Sequence, residues 1–119
     1  MGRPVVHFEI GCKDKAKMDS FYSKLFEWSI EDIGPASMIS TGTDVGIEGH
    51  ITALGHEPHH YVTFYVEVEN LQAYLEKAHQ LGGQTLVPPT EVPDSGYFAW
   101  LADPEGNTVG LWEPIESSD

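Results

Sequence analysis

Residues 61–68 read Tyr-Val-Thr-Phe-Tyr-Val-Glu-Val, and 56 positions earlier residues 5–10 read Val-Val-His-Phe-Glu-Ile. Both stretches alternate with period two, as strands with two unlike faces do. In the later stretch Val62, Phe64, Val66 and Val68 share one face, and Tyr61, Thr63, Tyr65 and Glu67 share the other. In the earlier one Val6, Phe8 and Ile10 lie opposite Val5, His7 and Glu9. Two strands of one design in so short a chain predict an internal repeat.

The flanking sequence extends the repeat. After the first strand Met18, Phe21, Tyr22 and Leu25 stand at i, i+3, i+4 and i+7, an apolar helical stripe with Asp14 placed to cap it. After the second, Asn70 can cap a helix whose stripe is Leu71, Tyr74 or Leu75, Ala78 and Leu81, and Gly82-Gly83 supplies a left-handed stop. Each stripe is expected to pack on the apolar face of its sheet. Short strands follow at 26–31, 36–41 and 45–51 in the first copy, and at 84–87, 97–102 and 107–113 in the second. Asp103-Pro104-Glu105-Gly106 fits a type I turn, and the proline-rich stretch 88–93 reads as an extended loop. The sum is β-α-β-β-β twice, an α+β fold. A single domain over 1–119 is predicted, with modules 4–51 and 61–114, a linker 52–60 and a frayed polar tail after Pro114.

Composition narrows the function. A chain of 119 residues, 40% of them apolar, can bury about two-thirds of its surface without disulfide staples. The single Cys12 excludes an intramolecular disulfide and any cysteine-based zinc cluster. No apolar run approaches the ~20 residues of a membrane span, and no signal peptide opens the chain, so a cytoplasmic setting is expected. The formal charge is −13; five of the six cations lie within the first 24 residues, so the rest carries only Lys77 against its acids. Nucleic acid and anionic membrane surfaces both need clustered Lys and Arg, so neither is an expected partner.

The repeated module, Phe21-Tyr22 followed by Leu25-Phe26-Glu27-Trp28, Leu81-Gly82-Gly83, and Asp103-Pro104-Glu105-Gly106-Asn107 with Leu111-Trp112-Glu113-Pro114 together resemble the vicinal oxygen chelate superfamily. That superfamily includes glyoxalases, bleomycin-resistance proteins, methylmalonyl-CoA epimerases, fosfomycin-resistance enzymes and extradiol dioxygenases. The resemblance implies two tandem βαβββ modules whose sheets curl into one open U-shaped cavity, with helices outside and the ligand held on the concave face. It also implies a homodimer, and exposed strand edges and aromatics in so short a chain need cover for the same reason.

In metal-dependent members of that superfamily, ligands come from the first and last strands of each module. Carried onto this chain, the positions are His7, Glu48, Thr63 and Gly110. Thr63 is a poor neutral ligand and Gly110 has no side chain, so no metal cofactor is expected. The alternative is a divalent ion such as Zn, Ni, Mn or Fe on His7 and Glu48. Alternation places Glu48 and His50 on one face, where they would join His7 and Glu9 as a non-standard site. Tyr61, Tyr65 and Trp112 would provide an aromatic wall, with room for a ligand left at Gly110. The cavity residues are thus His7, Glu9, Glu48, His50, Thr63, Tyr65 and Trp112, while the facing of Tyr97, Phe98 and Trp100 does not follow from alternation. His56, His59 and His60 read as a solvated linker, His79 as helix surface, and Cys12 as an inert thiol.

Three functions compete at this level. The first is a metal-free protein that binds a small organic molecule in the cavity between its modules. The second is a metal-dependent lyase, isomerase or dioxygenase using His7 and Glu48. The third is an acidic protein-interaction module.

Overall fold

The computed structural model describes residues 2–54 and 59–115; His56 with its neighbours and the tail beyond Ile115 lie outside these. The elements run β1 (Val5–Gly11), α1 (Lys15–Phe26), β2 (Ser29–Asp32), β3 (Ala36–Ser40), β4 (Glu48–Thr52), β5 (Tyr61–Glu67), α2 (Leu71–Gln80), β6 (Gln84–Val92), β7 (Gly96–Ala102) and β8 (Thr108–Pro114). The β-α-β-β-β order occurs twice, as the repeat predicts. Two compact units result, one of His7–Thr63 and one of Met1–Val6 with Phe64–Asp119. The start of the chain therefore belongs with the second module. Within that unit the Glu67 N–H donates to the Pro4 carbonyl at 2.9 Å, and Arg3 pairs with Glu69 at 2.9 Å.

In the first unit the strand order is β2-β3-β4-β1, with β1 and β4 parallel and the other pairs antiparallel. Its core is Ile10, Cys12, Ile39 and Ile51, flanked by Phe8, Met18, Tyr22, Trp28 and Ile30. Asp14 caps α1 by accepting from the Lys17 N–H. The expected stripe is corrected here. Phe21 is 54% and Leu25 56% exposed, and α1 buries no residue fully. The inward row is instead Lys15, Met18, Asp19 and Tyr22, the same spacing begun three residues earlier. Polar satisfaction explains the shift. Ser37 is fully buried, donates to Asp19 Oδ2 at 2.5 Å and accepts from Lys15 Nζ at 3.0 Å, while Lys15 also pairs with Asp32 at 2.8 Å. A buried hydroxyl and two carboxylates hold the lysine inward, and the helix turns with it.

The second unit orders its strands β5-β8-β7-β6, with β5 and β8 parallel. Here the helical stripe holds for Leu71 and Leu75, buried against Val68, Ala99 and Leu111 with Val66, Tyr74 and Leu101 alongside, but not for Leu81, its expected last member. Asn70 caps α2 by accepting from Ala73 N–H, and the Glu113 carboxylate accepts the Leu71 N–H at 2.9 Å. Both suit the donor-rich, positive end of the helix. Gly82 takes φ +103, the predicted left-handed stop, although Leu81 remains 70% exposed. Asp103 organises the β7–β8 turn, accepting from Glu105 and Asn107 N–H groups. The stretch expected to be a loop at 88–93 is instead largely strand, since β6 continues to Val92 with register shifts between Thr85 and Thr90. Pro88 and Pro89 are tolerated because β6 ends its strand order and the ladder is irregular there.

Candidate functional site

The parallel pairing of β1 with β4 sets His7 opposite Glu48 and Glu9 opposite His50. Phe8 and Ile10 turn to the core with Ile51, so the four polar side chains stand on the other face, as alternation anticipates. They are joined. His7 Nε2 lies 2.7 Å from His50 Nδ1, and His50 Nε2 lies 3.2 Å from Glu9 Oε1. The Tyr61 hydroxyl donates to the other Glu9 oxygen. Glu9 is 4% exposed, so its carboxylate is held out of water by these partners. Gly11 makes this possible, because a Cβ there would collide with the Tyr61 ring. Glu48 sits at the exposed edge of the group, its carboxylate accepting the Thr41 N–H at 3.3 Å.

Burial sets the electrostatics. It pushes the His7 pKa down to about 4, helped by the charge His50 would carry and opposed by Glu9 and Glu48. Burial, then the hydrogen bond to Glu9, pushes the Tyr61 phenol well above its usual range. Tyr61 thus stays a neutral donor. Cys12 is buried, with its thiol raised by that burial, as expected of an inert cysteine.

The second unit places different chemistry on the matching face. Tyr65 pairs with Gly110 and Glu67 with Trp112 on the β8 side, while β7 sets Trp100 beside Gly110 and Phe98 beside Trp112. This fixes what alternation left open: Phe98 and Trp100 share a face with Tyr65 and Trp112, and Tyr97 shares the other with Ala99. The Trp100 indole N–H donates to the Tyr65 hydroxyl at 2.9 Å, and both residues are buried. The room expected at Gly110 is filled, because a Cβ on it would lie 2.5 Å from the Tyr65 ring. Trp112 is half-buried. Thr63, in the first unit, is 4% exposed. His79 is exposed on α2.

The residues at the superfamily's metal positions do not fit a divalent ion. His7 Nε2 is taken up by His50, Thr63 is buried and neutral, and Gly110 lies under the Tyr65 ring. Among the described residues no group of three or more His, Cys, Asp or Glu side chains converges as a metal centre needs. Sequence reasoning named His7, Glu9, Glu48 and His50 as one group. It missed that Tyr61 locks Glu9 and that Trp100 locks Tyr65. The signal for Tyr61 was present: it shares the Thr63–Tyr65 face and follows the first module by only a short linker.

Residues 5–111 match the model of the Glyoxalase/Bleomycin resistance protein/Dioxygenase superfamily, and the two βαβββ copies, each with its first and last strands parallel, agree with it. The chain belongs to this superfamily. It is 30% identical over 112 residues to a glyoxylase-like domain-containing protein of Didymella fabae, covering 87% of this chain and 88% of that one. It is 27% identical over 113 residues to CFP32 of Mycobacterium tuberculosis, a protein named as a glyoxylase; that match covers 84% of this chain. The chain spans only 41% of that relative's length. Among solved structures, methylmalonyl-CoA epimerase from Mycobacterium tuberculosis superposes with a TM-score of 0.64 at 12% identity, covering 94% of this chain and 88% of the epimerase. That likeness shows the fold alone. No described helix is long and apolar enough to cross a membrane.

Proposed function

We propose that this superfamily member binds a small organic molecule on the first-module face that carries His7, Glu9, Glu48 and His50, without a resident metal. The observation that carries the reading is the hydrogen-bonded group of His7, His50, Glu9 and Tyr61, a fixed set of polar atoms on a sheet face free of Lys and Arg. Fixed polar groups beside aromatic surface are what small-molecule sites are made of. A homodimer in a reducing, cytoplasmic setting completes the proposal, supported by the half-exposed Phe21 and Leu25 and by the lone thiol.

A second reading, a metal-dependent enzyme using His7 and Glu48, draws on the register that sets these two residues opposite each other and on relatives whose names carry glyoxylase or glyoxylase-like. Native mass spectrometry and calorimetry on untagged, full-length protein separate the two. The binding reading expects an organic ligand, carried through purification or found by screening, whose affinity falls at least tenfold in Glu48→Leu. Submicromolar 1:1 uptake of Zn²⁺, Ni²⁺, Mn²⁺ or Fe²⁺ that His7→Ala abolishes would replace it with the enzyme.

A further inference from the structure

We propose that Tyr61, Glu9 and His50 act as positioning residues that fix His7 as its Nε2–H tautomer, so that His7 works by hydrogen bonding where the superfamily's metal-dependent members coordinate an ion. The donors fix the order of the chain. A phenol beside a carboxylate can only donate, so Tyr61 assigns its proton to Glu9 Oε2. The remaining oxygen, Oε1, faces His50 Nε2 at 3.2 Å and has only lone pairs to offer, so His50 carries its proton on Nε2. A neutral imidazole with Nε2–H has an unprotonated Nδ1. That Nδ1 lies 2.7 Å from His7 Nε2, a hydrogen-bond distance between two ring nitrogens, so the proton between them belongs to His7. With Glu9 ionised and His50 neutral, the direction of the whole chain is set by the one group that then cannot donate, the buried Glu9 carboxylate.

One consequence follows. The His7 nitrogen that points into the group carries a proton and, in that form, has no lone pair for a metal, since an imidazole ligand must be unprotonated at the coordinating atom. On the binding reading above, His7 therefore meets its neighbours in the group as a hydrogen-bond donor through Nε2, while Nδ1 keeps its lone pair.

The test is two-bond ¹⁵N–¹H correlation spectroscopy of the full chain, at a pH where both imidazoles are neutral and with no ligand added. The expected spectrum gives His7 and His50 protonated Nε2 and unprotonated Nδ1. A His7 with Nδ1–H would overturn the assignment. In His50→Leu, which removes the acceptor, His7 is expected to lose its single tautomer and show the exchange-averaged pattern of a free imidazole. His50→Gln, whose amide oxygen can accept the same proton, is expected to restore the Nε2–H form. An unchanged His7 pattern in His50→Leu would also overturn the relay. Should that variant not fold, Zn²⁺ titration of the wild-type chain decides. Unshifted His7 nitrogens at one equivalent are expected, and a coordination shift of Nε2 counts against the proposal. These readouts need no ligand, so a failed ligand screen leaves them intact and their failure leaves the screen intact.

Discussion

The two modules keep one plan on the sheet face that meets the helix and part company on the opposite face. Toward the helices, Ile10 and Ile51 on the parallel β1–β4 pair match Val68 and Leu111 around the parallel β5–β8 pair. On the opposite face the first module sets His7, Glu9, Glu48 and His50, and the second sets Tyr65 against Gly110 with Trp100 bonded to it. Packing constrains the first face in both copies alike. The second face packs differently in the two copies, around a hydrogen-bonded polar group in one and around an aromatic plug in the other.

The comparison breaks most readily at the helices. Leu71 is 1% exposed against Val68, Ala99 and Leu111, so Leu71→Ala removes a fully packed side chain. A loss of about 2–5 kcal/mol is expected in chemical denaturation, the range for such truncations in a packed core. A loss under 1 kcal/mol would show that α2 is not anchored as its contacts imply.

Gly110 tests the plug. Adding a methyl group 2.5 Å from the Tyr65 ring forces the ring or strand aside, and Gly110→Ala is expected to cost about 1–3 kcal/mol. The same substitution in a Tyr65→Ala background has nothing to meet, so the cycle should show most of that cost as coupling between the two positions. Additive effects would mean that the ring does not rest on the glycine.

Much of this was legible in the sequence because it depends on period and turn chemistry. Two alternating strands, an Asp14 and an Asn70 cap, the Gly82 stop and the Asp103 turn each carry local physics that a chain shows without its fold. Alternation also placed Glu48 and His50 beside His7 and Glu9. What was not legible depended on partners distant in sequence. The α1 stripe was misread because Ser37, 22 residues beyond Lys15, draws the lysine inward. Gly110 read as open space because its occupant, Tyr65, sits on another strand. The length of β6 was missed because prolines signal loops unless the strand lies at an edge.

The polar face gives a pH prediction. The folded-state pKa of His7, about 4, lies below its ordinary 6.5, so the unfolded chain takes up this proton first. Stability from this group is therefore full above 6.5 and falls as pH drops through that window toward 4. The chain carries many other ionisable groups, so the readout is a difference. Denaturation of wild type and His7→Gln at a series of pH values should show the wild type losing stability faster between 6.5 and 4. Parallel curves would mean that His7 is as well hydrated in the folded chain as in the unfolded one.

The smallest effect is expected on the outward flank of α1, and it sharpens the contrast with α2. Leu25 and Phe21 are more than half exposed, whereas Leu71 and Leu75 are nearly inaccessible. A leucine or phenylalanine fully removed from water contributes about 1.5–3 kcal/mol, so a half-exposed one contributes about 1 kcal/mol. Leu25→Ala and Phe21→Ala should each cost no more than that at low protein concentration. Lys17 and Lys24 lie on the same exposed flank, within a chain whose residues after Phe26 are almost all acidic where charged. If the homodimer uses this flank, the same variants lower the association seen by light scattering at tens of micromolar while leaving monomer stability nearly unchanged. A large stability loss without any change in mass would place these side chains in the core after all, and the two helices would then be equivalent.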